Sequence, residues 1–537
     1  MALSVIQSGT NLQLVSDAGI ISPTLTLPTG ITLRSDIPPR FVVFGRYVIL
    51  VNTPSQPLII DSTGTVRLLC PKAPRLAPIL SAVAGGTLTG SYGNARYTFI
   101  TLDPAGNLIS ESDFSPASNT VTLATQFLQA ANLDLSPDQI SGRRIYRPTN
   151  LGAVLFQWVD LDGNILTSIQ DDLSDAGLSL VAAPLLGTPP DLTMIAEFRN
   201  RLFGVDRIDI DDLRYTEVGL MYAWTQDNVF PIPSVGSDSV GVRALLPRRE
   251  YLGIGRQNQL LALTGTDDTD FSIVKLSQNL GVSSQESVAV YRDVAYFLWE
   301  DGVYQWSDAG IECVSDGKAL VGTGSVQYHG SVRSWFATDN YFNRSMFQYA
   351  FGQVDPVRFK YRLYLFVAGS TTDITWVEYD LIDKTWWGPH LTSAFSPTSV
   401  FTLLDGNLVP RPTVGATDSN LYREQDTRTD GPASAIIMDV QTKRYGMDEP
   451  DLDKYYGELS VVGKAQTSGT MNIHLEVGEL NASVVTDPIW DMTQSRQRLQ
   501  RVGTGKHVEF EFTNDEVGQD VQLYGIEVAP VSILGRR

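Results

Sequence analysis

Apolar and polar residues alternate along much of this 537-residue chain. In Met471–Val477 and in Val508–Phe512 the alternation is unbroken, which predicts strands with one packed face and one solvent-facing side. In Val521–Val528 the apolar positions change face at Gly525. Because one extra residue in a strand moves every later side chain to the opposite face, this change predicts a β-bulge.

Helical patterns are few and short. In Leu135–Ile140, Ser136 can cap a helix and Pro137 suits its first position, so one or two helical turns are predicted there. Gln126–Ala131 is a second candidate for a short helix. With so little helical signal, the chain is predicted to be all-β.

Turn sequences separate the strand-like segments. Asp-Gly and Gly-Asn pairs supply the positive φ angles that tight hairpins need. Such turns occur at Ser62–Gly64, Asp103–Asn107, Asp162–Asn164, Asp301–Gly302 and Asp405–Asn407. Many short strands joined by turns in this way are typical of sandwiches, barrels and propellers.

A degenerate unit recurs in which a buried strand, a turn and an aromatic-rich strand follow one another. Its copies lie at residues 41–51, 200–217, 250–264, 293–306, 361–380 and 399–422. From residue 198 onward the copies are spaced by roughly 40 to 70 residues, the range of propeller blades. The repeat therefore predicts a β-propeller, and a large sandwich is the alternative.

Two proline clusters, Pro71–Pro78 and Pro184–Pro190, bracket a segment that contains further strand patterns. About seven strands in about 100 residues fits an immunoglobulin-like or fibronectin-like sandwich inserted into the propeller. The predicted domains are an N-terminal β segment with the first blade (1–77), the inserted sandwich (78–186), the remaining blades (187–430) and a C-terminal β domain (431–537) after Gly431-Pro432.

The charge balance excludes some classes of partner. Forty basic and sixty acidic residues give a formal charge of −20, which argues against a protein that wraps nucleic-acid phosphates or anchors to anionic membranes. Hydrophobic residues make up 43% of the chain, too many for a disordered protein. The segment Met1–Gln7 lacks the pattern of a signal peptide, and no apolar stretch reaches the length of about 18 residues expected of a membrane span.

No catalytic, cofactor-binding or metal-binding residue is identified in the sequence, so no cofactor or metal and no enzymatic activity are expected. The two cysteines, Cys70 and Cys313, are expected to be reduced and buried. The histidines lie far apart and lack metal-ligand spacing. They are His329, His390, His474 and His507.

Clusters of acidic and aromatic residues have structural explanations as well as functional ones. Three aspartate clusters lack a complete calcium-binding loop and are expected to be solvated: Asp267–Asp270, Asp209–Asp212 and Asp160–Asp162. Two tryptophan pairs can stack on sugars but are expected in the core or at an interface: Trp299 with Trp306, and Trp386 with Trp387. The basic residues are scattered and are expected to pair with carboxylates at subunit contacts: Arg143, Arg144, Arg248, Arg249, Arg496, Arg498 and Arg501.

Several stretches resemble tail tube or nozzle proteins, the distal tail hub of short-tailed, podovirus-type bacteriophages. The matching stretches are Ser112–Pro116, Arg143–Arg147, Arg199–Val205, Leu213–Glu217, Leu252–Arg256, Asp293–Gly302 and Gly525–Arg537. The resemblance covers most of the chain, and its motifs are structural.

The resemblance implies a structural virion protein that forms the distal tail channel for DNA ejection. In that family a homohexameric ring sits below the portal and its adaptor protein, and tail fibres or tailspikes attach outside. Genomic DNA passes through without specific binding, and no stable membrane insertion is expected. The implied location is the virion tail, assembled in the host cytoplasm.

Two other classes of function remain. The first is a carbohydrate-binding or carbohydrate-degrading β-propeller adhesin, since propellers host glycosidases, although the repeated S-x-D-x-G-x-x-W turn of sialidases is missing. The second is a cellular surface or scaffold protein, against which the missing signal peptide counts.

Overall fold

Antiparallel sheets dominate the computed structural model of the chain. It describes residues 3–16, 20–34, 38–138, 140–179, 181–233, 241–316, 318–322, 325–329, 331–390, 395–405, 407–423, 429–430, 434–435, 438–442, 452–479, 482–515, 521 and 523–535. Compact packing divides the chain into two units, one of residues 1–390 with 400–412 and one of residues 391–399 with 413–537.

The first half of the chain holds an N-terminal hairpin, a first blade, the inserted sandwich and two more blades. The hairpin is β1 (Leu3–Ser8) and β2 (Asn11–Ser16). Blade 1 is β3 (Arg40–Phe44), β4 (Tyr47–Val51), β5 (Leu58–Ile60) and β6 (Val66–Leu68). The sandwich is β7 (Ile79–Tyr92), β8 (Arg96–Leu102), β9 (Leu108–Glu111), β10 (Val121–Ala131), β11 (Gly142–Arg147), β12 (Phe156–Asp162) and β13 (Ile169–Asp171). Blade 2 is β14 (Leu192–Phe198), β15 (Arg201–Asp206), β16 (Asp212–Tyr215) and β17 (Val229–Pro231), and blade 3 is β18 (Ala244–Pro247), β19 (Leu252–Gly255), β20 (Leu260–Thr264) and β21 (Ser272–Ser277).

The second half adds two blades and the C-terminal sheets. Blade 4 is β22 (Ala289–Tyr291), β23 (Val294–Trp299), β24 (Gly302–Ser307) and β25 (Gly310–Cys313). A hairpin, β26 (Lys318–Gly322) with β27 (Ser325–His329), and the helix α1 (Arg333–Ala337) precede blade 5, which is β28 (Phe351–Asp355), β29 (Lys360–Phe366), β30 (Ile374–Asp380) and β31 (Trp386–His390). Then come β32 (Pro397–Leu404), β33 (Pro410–Ala416), β34 (Leu421–Arg423), β35 (Thr429–Asp430), β36 (Ser434–Ala435), β37 (Met438–Gln441), β38 (Asp453–Gly463), β39 (Thr470–Glu479), β40 (Ala482–Thr486), β41 (Ile489–Asp491), β42 (Arg496–Gly505), β43 (His507–Asn514) and β44 (Leu523–Gly535). Single 3-10 turns lie at Asp175–Gly177, Gln285–Ser287, Val314–Asp316 and Arg344–Tyr349.

The strand contacts confirm the predicted β-propeller. In each blade the four strands pair in sequence order, and the first strands of successive blades contact one another: β3 with β14, β14 with β18, β18 with β22, and β22 with β28. Arg40 on β3 donates to the Thr193 carbonyl of blade 2 at 2.5 Å and to Glu286 at 2.9 Å, just before blade 4. First strands that converge in this way belong to radial blades and exclude a single large sandwich.

The core consists of layers between neighbouring blades. Between blades 2 and 3, Phe203, Tyr215, Phe230 and Phe271 pack with their rings 5.5 to 5.8 Å apart. Between blades 3 and 4 the layer contains Phe297. Each buried aromatic side chain contributes on the order of 2–3 kcal/mol through apolar burial, with about 0.5–1.5 kcal/mol more from each ring pair.

The inserted segment folds as the predicted sandwich. Its two sheets have the strand orders β13-β10-β7 and β12-β11-β8-β9, and Tyr97, Phe99, Leu128 and Trp158 fill the space between them. The predicted helix at Gln126–Ala131 is wrong, because this stretch is the end of β10 and buries alternate residues, including Leu128.

The predicted helix at Leu135–Ile140 is also wrong, since its described residues form a bend. Ser136 Oγ does accept a hydrogen bond from the Asp138 amide at 3.1 Å. Ser136 therefore makes the predicted capping contact, but within a turn and without a helix after it. Gln139 lies outside the described residues.

The sandwich is docked against blades 1 and 2. Ile109 of β9 packs with Phe44, Ile49 and Trp224 in one apolar cluster. Two polar contacts accompany it. Arg46 pairs with Asp103, and Cys70 Sγ lies 3.2 Å from the Glu111 carbonyl oxygen.

The second unit contains the two strands predicted at Met471–Val477 and Val508–Phe512, which lie within β39 and β43 and pair with each other. The predicted bulge is present, because Val462 pairs with Gly525 and Gly463 with Leu523, which leaves Tyr524 unpaired.

The predicted domain limits remain predictions, and Gly431-Pro432 lies outside the described residues. Among the described helices, none is long and apolar enough to cross a bilayer.

Candidate functional site

A cleft of about 140 Å³ opens on blade 2. Its walls are Thr188, Pro190, Asp206, Arg214 and the segment Trp224–Gln226. Asp206 ends β15, Arg214 lies on β16 beside it, and Trp224–Gln226 belong to the loop from β16 to β17.

The linker from the sandwich forms the remaining wall of the cleft. A Cβ added to Gly187 would overlap the Trp224 carbonyl oxygen. Only glycine therefore lets the Thr188–Pro190 segment pass this close to the loop.

The polar groups of the cleft are only partly satisfied. Arg214 Nε lies 3.5 Å from Asp206 Oδ2, too far for a direct hydrogen bond, and Arg214 Nη1 donates weakly to the Gln226 carbonyl at 3.4 Å. Among the described residues, Arg214 Nε and the buried Thr225 Oγ1 have no hydrogen-bond partner. Trp224 is 3% exposed and donates its indole N–H to Met221 at 3.0 Å, so it contributes an apolar wall.

Two further carboxylates, Asp191 and Asp212, adjoin residues of the cleft without lining it. Burial raises the pKa of Asp191, although Arg207 lies 2.9 Å away and opposes the rise. Burial also raises the pKa of Asp212, against Arg214 at 3.9 Å. Asp191 and Asp212 therefore each lie next to an arginine, and neither lines the cleft.

The aspartate clusters are more ordered than the sequence predicts. Asp211 pairs with the fully buried Arg256 at 2.8 Å, Asp268 pairs with the buried Arg201, and Asp160 pairs with Arg144 at 2.8 Å. Hydrogen bonds from Thr269 and from backbone amides lower the pKa values of Asp267 and Asp270, which close a turn. Within the described part of the chain, no group of three or more His, Cys, Asp or Glu side chains is placed to hold a metal ion.

The predicted tryptophan pairs are mostly internal. Trp299 donates to the Gln257 carbonyl and Trp386 to the Val314 carbonyl, both at 2.9 Å, and Trp306 packs under the Arg248 guanidinium at 4.7 Å. Trp387 is 52% exposed. Three of the four indole rings therefore make contacts within the fold.

The histidines and cysteines are dispersed. Burial lowers the pKa of His390 on blade 5, and the exposed His474 lies 2.7 Å from Asp487 in the second unit. Cys70 is buried and Cys313 half-buried, both as free thiols. Burial raises the pKa values of both thiols, which disfavours the reactive thiolate.

Several of the predicted basic residues find their partners inside the chain. Arg144 pairs with Asp160 on the next strand, and Arg248 of blade 3 pairs with Asp308 of blade 4 at 2.6 Å. Arg496 and Arg498 pair with Glu527 and Glu458 on the second unit. These four arginines therefore have carboxylate partners within the chain, and their role at subunit contacts stays a prediction.

The chain is distantly similar to several solved structures. No protein-family model and no curated protein matches the chain. A solved exo-β-1,3-galactanase from Phanerochaete chrysosporium is 8% identical, with a TM-score of 0.22, over 62% of this chain and 94% of the other. PorZ, a surface component of the type-IX secretion system of Porphyromonas gingivalis, is 8% identical, with a TM-score of 0.25, over 98% and 86%. A family 43 arabinoxylan arabinofuranohydrolase from Bacillus subtilis is 10% identical, with a TM-score of 0.18, over 76% and 93%.

These similarities correct the expectation that the chain is not an enzyme, because two of the three structures named above are glycoside hydrolases. At such low identity and TM-scores, the activity of these proteins is not evidence for the activity of this chain. Evidence that the chain is catalytic therefore has to come from its own carboxylates, above all those at the blade 2 cleft.

Proposed function

We propose that the chain is a structural component of a short bacteriophage tail, forming the distal tail tube or nozzle below the portal and adaptor. The observation that carries the proposal is the reciprocal pairing of arginines from the stretches that resemble such proteins. Arg201 of blade 2 pairs with Asp268 of blade 3, and Arg256 of blade 3 pairs with Asp211 of blade 2. Both arginines lie in stretches that resemble such proteins, and each joins its blade to the neighbouring one.

The proposal includes a ring of six copies, with fibres or tailspikes outside and genomic DNA passing through. Each copy carries a formal charge of −20. Because lysines and arginines that neutralise phosphates hold DNA, an acidic wall lets it pass. The proposed location is the virion tail, after assembly in the host cytoplasm.

Native mass spectrometry of the purified chain and gold labelling of a tagged copy in particles test this proposal. We expect a closed ring of six and label at the tail tip. A chain that stays monomeric and is missing from particles would overturn it.

A second candidate is a carbohydrate-binding or carbohydrate-degrading propeller, and the blade 2 cleft favours it. Glycoside hydrolysis uses two carboxyl groups. Asp206 lines the cleft, and Asp212, outside its lining, lies beside the same Arg214. Capsule and cell-wall polysaccharides should be incubated with the wild-type chain, D206N, D212N and the control D227N, which changes an exposed loop residue outside the cleft lining. Hydrolysis lost in the first two variants but kept in D227N supports this candidate, and hydrolysis unaffected by both contradicts it.

A further inference from the structure

The inserted sandwich exposes large aliphatic side chains at one of its ends, where three segments meet. The Leu133 amide donates to the Thr167 carbonyl at 3.1 Å, and Asn132 Nδ2 donates to the Ala77 carbonyl at 3.1 Å. These contacts join residues 72–79, 132–138 and 163–168 in what we call end A. Its aliphatic side chains, 44% to 82% exposed, are Leu76, Ile79, Leu135, Ile165 and Leu166.

A second such group lies at the opposite end of the same domain. The tip of the hairpin between β11 and β12 lies against the segment that leaves the sandwich, since the Ala183 amide donates to the Leu155 carbonyl at 2.8 Å. Strand β12 runs from this end, end B, to end A over seven residues, or roughly 20 Å. The aliphatic side chains of end B, 53% to 84% exposed, are Leu151, Val154, Val181 and Leu185.

The side chains between the two ends are different. On the described strands of the sandwich, the exposed positions between the ends are polar or small, as at Ala84, Thr122, Asp160 and Gln170. All nine aliphatic side chains are exposed with the propeller packed against the sandwich, so the propeller does not cover them. Single exposed apolar residues are ordinary, whereas groups of them mark binding surfaces.

The two ends are also poor in charge. Residues 148–155 and 179–187 of end B, and the loop 163–168 of end A, contain no charged residue, although charged residues make up 19% of the chain. Copies that each carry a formal charge of −20 repel one another. A contact between copies therefore costs least where uncharged surfaces meet.

The occurrence of two ends on one domain favours a second copy of this chain as the occupant. A head-to-tail contact joins two different patches and closes into a ring when the rotation between copies allows it. Each copy must then carry both patches, as the sandwich does. A foreign partner, or a two-fold contact of one end with itself, would need only one of them.

We infer that end A of one copy binds end B of the next, so that the sandwiches join neighbouring copies head to tail. This inference rests on the proposed ring and names its contact surface. Four or five aliphatic side chains supply only part of the roughly 800 Å² per partner of a standard interface. One joint alone is therefore weak, and a closed ring, in which each copy has two joints, is held more firmly.

The test places a charge in each end of the full chain. I165D alters end A and L151D alters end B, where the wild-type side chains are 82% and 84% exposed. The control I208D adds the same charge at an isoleucine of blade 2 that is 84% exposed. Sedimentation velocity and native mass spectrometry should show association at least about tenfold weaker for I165D and L151D, because each removes a large aliphatic side chain from the joint. I208D should assemble as the wild type does, and thermal unfolding should be unchanged in all three.

An equimolar mixture of I165D and L151D tests the direction of the contact. The I165D chain keeps end B and the L151D chain keeps end A, so one intact joint remains between them. The mixture should form dimers of one chain of each kind and no ring, whereas either variant alone should form neither.

Rings lost in both variants, with mixed dimers, support the inference, and an assembly of another number that both variants disrupt supports it while contradicting the ring of six. A ring that both variants leave intact overturns the inference but leaves the tail proposal standing. Loss in only one variant overturns the head-to-tail pairing, and an equal loss in I208D shows that added charge alone is responsible and overturns the assignment. A wild-type chain that stays monomeric overturns both the inference and the ring.

Discussion

Arg201 shows how much a single side chain contributes to the joint between blades 2 and 3. Its side chain is 3% exposed and lies over Tyr215 and Phe271 at 5.6 and 5.8 Å. It donates to the Thr216 carbonyl at 2.7 Å and pairs with Asp268, whose side chain is 45% exposed. The two partners therefore differ in what their removal leaves behind.

Removing the carboxylate should cost more than removing the arginine. In Asp268→Ala a buried guanidinium loses its closer counter-charge and keeps only Glu217 at 3.8 Å, and we expect a loss of about 3 kcal/mol. In Arg201→Met the half-exposed aspartate turns to water and one carbonyl loses its donor, at about 2 kcal/mol. Urea unfolding measures both, with the exposed Arg249→Met as a control near zero. Equal or reversed losses would contradict this assignment of the buried charge.

Glu111 makes stability depend on pH. Burial raises its pKa above the ordinary 4.5, although Thr98, Tyr146 and Arg144 oppose the rise. The native state therefore holds this proton to higher pH than the unfolded chain, so stability falls as pH rises from about 4.5 through the native pKa. In Glu111→Gln this part of the fall should disappear. Urea midpoints at pH 4.5 and 8 measure it, and the same fall in both proteins would contradict it.

At the scale of elements, the central strands of the blades were predictable and the edges were not. The recurring unit matches the second and third strands of blades 2 to 5, such as β19 with β20, which are buried on both faces and read as apolar runs. Short outer strands such as β17 carry no such signal. Gln126–Ala131 misled the prediction because its apolar residues fit two periods, and the pairing with β7 decided for a strand.

The cleft was not predictable from the sequence. Asp206, Arg214 and Thr225 come from the end of one strand, the middle of the next and the loop after it. The alternation of Leu213, Arg214 and Tyr215 shows that Arg214 faces away from the core, and nothing in the pattern shows which groups it meets. Distances between elements come only from the packed structure.

Strand β9 attaches the sandwich to the propeller, so Ile109→Ser should act differently in the two contexts. In the full chain Ile109 is buried among propeller residues, and we expect a loss of about 3 kcal/mol. In residues 78–186 expressed alone, which we expect to unfold cooperatively, the loss should stay below about 0.5 kcal/mol. The control Leu128→Ser removes a sandwich core residue and should destabilise both. Equal costs for Ile109→Ser in both would place Ile109 in the sandwich core.

At the scale of the whole molecule, the net negative charge affects how strongly copies of the chain associate. Chains with a formal charge of −20 repel one another, and salt shortens the reach of that repulsion to about 8 Å at 0.15 M. If the chain forms the proposed ring, raising sodium chloride from 20 to 200 mM should strengthen association. Sedimentation velocity at fixed protein concentration measures this. A ring that weakens with salt would show instead that attractive ion pairs hold the copies together.

The position of the sandwich between blades 1 and 2 also determines the order in which these parts are synthesised. Strand β3 ends at Phe44, and its neighbour β14 starts at Leu192, so blade 1 leaves the ribosome long before its partner. At about 5–20 residues per second the wait is on the order of ten seconds. Meanwhile the sandwich, whose own core is made of its own residues, has time to fold and to present Ile109 to blade 1. The sandwich is thereby the first folded surface against which blade 1 can pack. Nascent chains stalled after the sandwich has left the ribosome, but before residue 192 has emerged, should already protect the sandwich from protease.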